Sequence, residues 1–373
     1  MVPYLRGAVL SYEGAFSGSL QLGLSLNMTL FDGAMLARYK GAKLTLSSVK
    51  LDHSREEQAV VRSTIAAYVQ VVIDRELVRV NEENVKAQEK QLELVEAFCE
   101  AKKATVAELY QQQAELEEAR QGLLTSESDR EVHKLQLIQT MGRSLAAGIE
   151  IAPLDVPDDD GEWPDEEDVE AAVKYALANR PDASALKAKI ASAGKQVDAA
   201  KAAYWPTLSL SGGTGTSYSS AMQDHFGFTD QFFNNNPYAS AGLAVSIPLF
   251  DGLAGRHDME SAELQVQAEK IGLDTLAQAI EMEVRQAFEN YKTAKRQLEV
   301  AAKKRKSAAQ SLEAYEELYR TGGCTLVDLS QARASSLQAS VDEVTTRYEL
   351  LVKAVDIAYY KGDDEGLTAL LKQ

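Results

Sequence analysis

The sequence is poor in the residues that build disulfides, metal sites and nucleophilic active sites. Its 373 residues include two cysteines and four histidines. Cys99 and Cys324 stand in no ligand spacing, so they predict no metal site, and a disulfide between them stays open. The histidines are scattered, without a His-Glu-x-x-His pattern. No Gly-x-Ser-x-Gly elbow or Cys/His nucleophile pair occurs either, so we predict neither an enzyme nor a bound cofactor.

Long apolar runs and positive charge are also lacking. No stretch of about 18 apolar residues occurs, so the sequence predicts no transmembrane helix. The formal net charge of −17 argues against binding of nucleic acid, which needs a basic surface. The first residues show no basic region followed by an apolar core, so no secretory signal is visible. Hydrophobic residues make up 45% of the chain, which is enough for a folded protein.

A four-residue motif occurs twice and marks an internal duplication. Leu-Phe-Asp-Gly stands at 30–33 and again at 249–252. Each copy ends an alternating apolar run and opens a very long helical pattern. Such self-similarity indicates one structural unit used twice. We therefore predict strand-to-helix exits at Phe31, Asp32 and Gly33 and at Phe250, Asp251 and Gly252.

The residues before each motif alternate as strands do. From Leu20 to Leu30 every second residue is apolar, and the residues between them are small or polar. This period of two predicts a strand with one apolar face. Its length matches the roughly 9–11 residues that cross a bilayer at a tilt. The run from Leu243 to Leu249 repeats the pattern. With upstream partners at 4–12 and 207–216, the prediction is two hairpins, or four strands.

Four strands are too few to close a membrane barrel by themselves. Open strand edges in lipid would leave backbone N–H and C=O groups unpaired, which is strongly unfavourable. If the strands are membranous, several chains must share one barrel, and three copies would supply about twelve strands, an even number that such barrels use. A strand of a soluble sandwich shows the same alternation. The strand length is therefore what favours a membrane.

The remainder of each half predicts a long helical hairpin. Residues 253–319 contain no proline and are rich in good helix formers. One helix over this range would be about 100 Å long. Its apolar residues recur at three and four positions and form a single packing stripe. Residues 35–98 behave likewise. Each long helix is followed by a short break and a second helix, and the breaks align between the halves, with Thr105 opposite Thr325.

Two copies of this unit account for the whole chain. The predicted fold class is mainly α with a β-barrel part, in which long antiparallel helical hairpins accompany four strands per chain. The segments are a first repeat at 1–150 (strand hairpin 4–30, helical hairpin 35–142), an acidic linker at 151–164, and a second repeat at 165–373 (helices 166–203, strand hairpin 207–250, helical hairpin 253–361).

The order of several motifs resembles that of the TolC-like outer membrane efflux proteins. Asn179-Arg180-Pro181-Asp182 precedes a helix that leads into Ala203-Tyr204-Trp205-Pro206-Thr207, and this is similar to the family's entry from helix to strand. Phe-Asp-Gly at both exits is typical of the family. The stretch Tyr319-Arg320-Thr321-Gly322 resembles its hairpin tip. The resemblance covers essentially the whole chain and rests on the order and spacing of these motifs.

The resemblance implies a homotrimer with one twelve-stranded barrel in outer membrane lipid and a helical tunnel through the periplasm. The far tips of the tunnel would dock onto a periplasmic adaptor that links the channel to an inner-membrane pump. The channel would export small molecules or proteins passively. The family pattern places a pore constriction and gate at Asp328, Glu108 and Tyr319. It places adaptor-docking residues at Lys102, Lys103, Thr105, Val106, Gly322, Gly323, Thr325, Leu326 and Val327.

The sequence departs from the family pattern in two places. It begins at a strand where the family has a helix, so we expect the family's N-terminal helix and signal peptide to lie upstream. At the tips, Lys102 replaces the usual glycine, and Cys324 and Gln331 stand where some members carry an arginine and a second aspartate. No particular salt-bridge lock is therefore predicted. Asp328 is equally well interpreted as the cap of its helix.

Two other interpretations of the chain stay open. It could be a non-channel coiled-coil scaffold whose short strands only cap the rods, or a truncated and non-functional member of the same family. The strand alternation separates the first of these from a channel, because a scaffold does not need amphipathic strands of membrane length.

Overall fold

The computed structural model describes residues 11–12, 18–145, 149–152, 154, 168–222 and 226–369. The predicted strand residues 4–10 and most of the acidic linker lie outside this part. The chain forms two compact units, of which the first combines segments 1–49 and 186–273 and the second combines segments 50–185 and 274–373. Each unit therefore takes segments from both sequence repeats, so the duplication and the compact units divide the chain differently.

The first unit contains a four-stranded antiparallel sheet in the order β1-β2-β3-β4. The strands are β1 Ser11–Tyr12, β2 Gly18–Phe31, β3 Thr207–Ser219 and β4 Tyr238–Ser246. Four strands were also predicted from the alternation. Strand β4 ends three residues before the alternating run does, because Pro248 has no N–H to donate to a neighbouring strand.

The register of the sheet sorts its side chains onto two chemically different faces. Met28 pairs with Leu210, which pairs with Leu243, so these three side chains lie on the same face. On the opposite face Asn27 pairs with Ser211. The apolar residues of β2 are solvent-exposed by 37–51%, namely Leu22, Leu24, Leu26 and Met28. The sheet of a single chain therefore exposes an apolar face that nothing in the described chain covers.

Seven α-helices are described, and the long ones follow the predicted ranges closely. None of the described helices is long and apolar enough to cross a membrane. The helices are α1 Gly33–Glu100, α2 Val106–Thr140, α3 Val169–Asn179, α4 Pro181–Ala202, α5 Ala254–Thr321, α6 Leu326–Lys361 and α7 Asp364–Ala369.

In the first unit, α4 packs closely on the start of α1 through small side chains. Ala34 and Ala37 form a buried cluster with Ala199 and Ala202. The hydroxyl of Ser192 donates to the Gly41 carbonyl oxygen at 3.0 Å. Small residues let two helix backbones approach each other, so the alanine-rich sequence of α4 determines this close contact.

The second unit is built from helices joined in a fixed order. One cluster joins Leu116 of α2 to Val85 of α1. A second joins α1 to α6 through residues such as Val72 and Val355, and a third joins Leu350 of α6 to α5. The order in this unit, away from the hairpin ends, is therefore α2–α1–α6–α5. Helices α2 and α5 stand at its two ends.

A buried arginine connects the α3–α4 joint to two other helices of the second unit. Arg180, whose side chain is 3% exposed, lies between α3 and α4, where Pro181 suits the first turn of a helix. Its guanidinium donates both to Asp182 (Nη2–Oδ2 2.6 Å) and to Glu283 of α5 (Nη1–Oε2 2.6 Å). Burial raises the pKa of Asp182, but the hydrogen bonds and charge of Arg180 outweigh it, so this pKa lies below its usual value.

The end of α6 lies directly against this arginine. Gly362 caps α6 in the left-handed conformation, with φ of 74°. A Cβ on Gly362 would lie 3.0 Å from Cγ and 3.2 Å from Cα of Arg180. The chain therefore needs a glycine here for two separate reasons, its backbone angle and the closeness of Arg180.

Candidate functional site

The first hairpin tip is a tight turn between α1 and α2. The N–H of Lys103 donates to the Phe98 carbonyl at 2.8 Å, and the N–H of Lys102 donates to the Cys99 carbonyl at 3.0 Å. Lys102 has a φ of 58°, which costs a non-glycine residue about 1–2 kcal/mol. Sequence comparison between the repeats could detect this, because a glycine stands at the equivalent position of the second tip.

The second tip, between α5 and α6, repeats this turn with glycines. Gly322 has a φ of 79°, and the N–H of Gly323 donates to the Leu318 carbonyl at 2.7 Å. Gly322 aligns with Lys102 when Thr325 is placed opposite Thr105. The two predicted tips are therefore the same turn, and both predicted breaks lie where the sequence indicates.

Each tip ends in a capping box that uses a predicted gate residue. The N–H of Asp328 donates to Oγ1 of Thr325 at 3.2 Å, and the N–H of Thr325 donates back to Oδ2 of Asp328 at 3.0 Å. Glu108 and Thr105 form the same pair in the first tip, at 3.2 and 2.6 Å. Such boxes satisfy the free N–H groups at a helix start. The capping interpretation of Asp328 is confirmed by this geometry.

The capped aspartate also keeps its negative charge at the tip. Hydrogen bonds from the hydroxyl and then the amide of Thr325 favour the ionised carboxylate, so the pKa of Asp328 lies below its usual value. The side chain is exposed to solvent. Capping and a charged constriction are therefore compatible roles for one residue.

The two tips of the chain meet in one apolar cluster. It joins Val95 of α1 to Leu329 of α6 and includes partly buried residues of both other helices. Tyr319 is buried in this cluster, with its ring 6.0 Å from that of Phe98. Burial, and then the charges of Glu108 and Cys324, raise the pKa of Tyr319. The predicted gate tyrosine is thus a packing residue within the single chain.

One predicted docking residue is placed differently from what we expected. Leu326 is 2% exposed and packs in the tip cluster, whereas Val327 is 62% exposed. The expectation that both side chains lie exposed at the tip is wrong for Leu326. The reason is helical periodicity, because the first residue of α6 faces α1 and its neighbour, about 100° further round, faces solvent.

The two strand-to-helix exits use the same aspartate cap but different glycine roles. Oδ1 of Asp32 accepts from the N–H of Ala34 at 2.8 Å, and Oδ1 of Asp251 accepts from the N–H of Leu253 at 3.0 Å.

The glycines of the two exits differ in what they do. Gly252 has a φ of 68°. Gly33 instead provides space, since a Cβ there would lie 3.1 Å from the Trp205 ring. Phe31 and Phe250 are both solvent-exposed.

Metal-binding side chains do not gather anywhere in the part of the chain that the structure describes. No group of three or more His, Cys, Asp or Glu side chains there could hold a metal ion. Cys99 and Cys324 are both free thiols. The repeated features of the described chain are its two capped tips and its two strand-to-helix exits.

The family model for outer membrane efflux proteins matches residues 6–143 and 172–362, which is most of the chain. The chain belongs to the outer membrane efflux protein family. This is a family of channel proteins. The match includes both tips and both exits.

Individual efflux proteins are similar to the chain over most of their length. The outer membrane efflux protein BepC of Brucella suis is 24% identical over 338 residues, covering 88% of this chain and 71% of the relative. The pyoverdine export outer membrane protein OpmQ of Pseudomonas aeruginosa is 25% identical, covering 91% and 69%. The outer membrane protein TolC of Escherichia coli is 22% identical, covering 96% and 73%.

Solved membrane proteins share the fold. A membrane protein from Pseudomonas aeruginosa superposes with a TM-score of 0.78 at 19% identity, covering 97% of this chain and 84% of the other. The outer membrane protein VceC of Vibrio cholerae superposes with a TM-score of 0.71 at 20% identity, covering 98% and 85%. The predicted combination of helical hairpins with a small antiparallel sheet is confirmed.

Near the two hairpin tips, the structure contains a buried polar cluster that the sequence analysis missed. Arg333 of α6 donates to Gln88 of α1 (Nη1–Oε1 3.1 Å) and to Glu316 of α5 (Nη2–Oε1 3.0 Å). Gln112 of α2 donates to the same Gln88 oxygen at 2.7 Å. The cluster joins all four helices near the tips. Its residues come from four different helices and form no motif, so only polar residues at positions of the apolar stripe could have indicated it.

Proposed function

We propose that the protein is the outer membrane exit channel of a tripartite efflux or type I secretion system and that it acts as a homotrimer. The observation that carries this proposal is the exposed apolar face of the sheet. A sheet with one apolar and one polar face suits a barrel wall that faces lipid outside and water inside. The aspartate-capped exits at Asp32 and Asp251 then mark where the chain leaves the membrane.

Closing the barrel is what requires the trimer. Strands β1 and β4 are the edges of the described sheet, and an open edge in lipid leaves backbone groups unpaired. Three copies of a four-stranded sheet give about twelve strands, an allowed barrel size. The helical hairpins would then form a periplasmic tunnel, and the capped tips would dock on an adaptor that joins the channel to an inner-membrane pump.

Membrane fractionation and single-channel recording test this function together. The full-length gene is expressed, and outer membranes are separated from soluble protein. We expect the protein in the outer membrane as a trimer that survives mild heating in detergent and conducts ions in planar bilayers. A soluble monomer would contradict the channel and favour the scaffold. A trimer without conductance would favour a non-functional family member.

Asp328 provides a test of the constriction that separates charge from capping. Asp328→Asn keeps an oxygen that can accept the Thr325 N–H but removes the charge, whereas Asp328→Ala removes both. If a ring of three carboxylates lines the pore, both variants should lose cation preference to a similar extent. Reversal potentials in a salt gradient measure this preference. If cation preference falls only in Asp328→Ala and not in Asp328→Asn, Asp328 acts only through the cap.

Val327 provides the matching test of adaptor docking. Val327→Asp places a charge on an exposed apolar side chain at the tip and should weaken adaptor binding severalfold, since exposed apolar surface at a tip suits a partner. Pull-down of the purified trimer by a purified periplasmic adaptor from the same organism measures this. Val60→Asp, at an exposed valine of α1 far from the tip residues in sequence, is the control. Equal binding by both variants would remove Val327 from the interface.

A further inference from the structure

The polar face of the sheet carries one aromatic side chain and no charge among its described residues. All the other residues on this face are Gly, Ala, Ser, Thr, Asn or Gln. The face consists of every second residue from Ser19 to Thr29 of β2, from Thr207 to Ser219 of β3 and from Tyr238 to Ser246 of β4. Tyr238 is therefore the one bulky ring on an otherwise small-residue, uncharged surface.

The side chain of Tyr238 lies along the sheet. Tyr238 is paired with Gly215 of β3, which is paired with Gly23 of β2. A Cβ on Gly215 would lie 2.8 Å from both Cε1 and the hydroxyl oxygen of Tyr238, and a Cβ on Gly23 would lie 3.4 Å from the same oxygen. Since two strand spacings are about 10 Å, the hydroxyl can approach Gly23 only if the side chain extends across β3.

The two glycines are what allow the ring to lie there. Glycine in a strand interior weakens the strand and often marks the close approach of another group. A side chain at Gly215 would meet the ring at 2.8 Å and the Leu22 carbonyl oxygen at 2.7 Å, both closer than non-bonded atoms normally approach. An aromatic ring over a strand glycine supplies packing that the glycine lacks. Gly23, Gly215 and Tyr238 therefore form one packed row across three strands, the Tyr238 row.

The backbone around Tyr238 is joined to β3 by side-chain hydrogen bonds as well as by strand pairing. The hydroxyl of Thr214 donates to the Tyr238 carbonyl oxygen at 3.0 Å. Just before β4, Nδ2 of Asn236 donates to the Ser217 carbonyl oxygen at 2.7 Å. The sheet itself therefore determines where the ring of Tyr238 begins and in which direction it can extend.

We propose that Tyr238 sets the bore of the barrel towards its outer mouth, because Gly215 and Gly23 let the ring lie flat against the wall. This rests on the proposed function, in which the polar face lines the water-filled passage and the helix exits lead to the periplasm. Gly23 lies about 26 Å along β2 from Phe31 at the exit and about 17 Å from Gly18 at the other end.

In a trimer, three Tyr238 side chains share this level, and the glycines beneath them keep the passage open. The described wall offers cargo hydroxyl and amide groups and no charge, so it neither attracts nor repels cargo by the sign of its charge. The Tyr238 row therefore selects by size, and cargo of either charge can pass it.

Thiol labelling tests whether the ring covers Gly23. Gly23→Cys is made in a Cys99→Ser and Cys324→Ser background, and intact cells are treated with a small, charged, water-soluble thiol reagent that enters from outside. Because the hydroxyl end of the ring covers this position, we expect labelling to become severalfold faster when Tyr238→Ala is added. Equal rates with and without the tyrosine would overturn the proposal.

A second measurement reports the bore itself. Asn27→Cys, on the same face about 13 Å further in than Gly23, is labelled from outside with the small reagent and with a bulky maleimide. Gly23→Val should push the ring off the wall and slow only the bulky reagent, by severalfold, since valine itself suits a strand. Adding Tyr238→Ala should restore the rate. Ser25→Val, the next residue of β2 on this face, is the control for added bulk and should label almost as the parent does.

The outcomes separate this inference from the proposed function. If Gly23→Val and Ser25→Val slow the bulky reagent equally, or if Tyr238→Ala restores nothing, Tyr238 does not set the bore and the channel stands. If the small reagent labels Leu24→Cys on the apolar face but not Asn27→Cys, the polar face does not line the passage, and the proposed function falls together with the inference. Gly23→Cys decides the question if Gly23→Val fails to assemble.

Discussion

Replacing Arg180 with alanine is expected to lower the free energy of unfolding by about 3 kcal/mol. The guanidinium is almost fully buried and neutralises Asp182 and Glu283. Removing one partner of a buried ion pair typically costs about 3–5 kcal/mol. The lower end applies because both carboxylates retain some contact with water. Urea unfolding of the detergent-solubilised protein, followed by circular dichroism, measures the change.

Arg120→Ala is the matched control for Arg180→Ala. Arg120 also contacts two carboxylates, Glu89 and Glu117, at 3.2 and 2.9 Å, but all three side chains are exposed on helices. Exposed pairs of this kind contribute little, so this variant should unfold almost as the parent does. If the two variants lose equal stability, burial of Arg180 is not what makes its ion pairs important.

The pH dependence of the Arg180→Ala effect has a definite sign. The folded pKa of Asp182 is lowered. The stability that Asp182 contributes is therefore complete above its usual pKa of about 4 and is lost as the pH falls through the lower folded value. Parent and variant should converge in stability under acidic conditions below that value. A difference that grows on acidification would contradict this account.

Gly362→Ala is expected to lower the free energy of unfolding by about 3 kcal/mol as well. Alanine in the left-handed conformation costs about 1–2 kcal/mol. Its Cβ would also press on Cγ and the backbone Cα of Arg180, and crowding of this kind adds about 1–3 kcal/mol. The same urea titration measures the loss. In the double variant Gly362→Ala, Arg180→Ala, the loss of unfolding free energy should differ from the sum of the two single losses, because the two residues touch.

Gly142→Ala separates the two contributions at Gly362. Gly142 is the glycine of the first repeat that aligns with Gly362 when Thr105 is placed opposite Thr325. It has a similar φ of 65°, but a Cβ there would meet no atom within 4 Å. We therefore expect only the conformational cost, about 1–2 kcal/mol. If Gly362→Ala and Gly142→Ala lose equal free energy of unfolding, contact of the new Cβ with Arg180 does not destabilise the protein.

Local rules of the sequence predicted most of the elements. The alternation of Leu20 to Leu30 indicated β2, and the absence of proline in 253–319 indicated α5. Such signals depend only on residues a few positions apart, because side chains repeat every two residues in a strand and every 3.6 residues in a helix. The breaks before Thr105 and Thr325 were predicted from the alignment of the two halves. The family assignment followed from the order of such local features, and the family match confirms it.

Contacts between distant segments could not be predicted by these rules. Helical periodicity places Leu326 and Val327 on different faces of α6, but only contact with α1 and α5 decides that the first is buried and the second exposed. Arg333, Gln88 and Glu316 come from three helices, and Gln88 lies 245 residues from Arg333 in the chain. Nothing in the local sequence of any one of them indicates that the other two are near.

The sequence by itself determined that this protein has two strand-and-hairpin units, and it determined the turn at each tip, because capping and periodicity act between residues a few positions apart. Only the tertiary structure decided what the repeated residues do. Gly33 makes room for Trp205 while Gly252 supplies a left-handed turn, and Gly362 touches Arg180 while Gly142 touches nothing. Equal sequences acquire unequal roles because packing against other segments differs between the two copies.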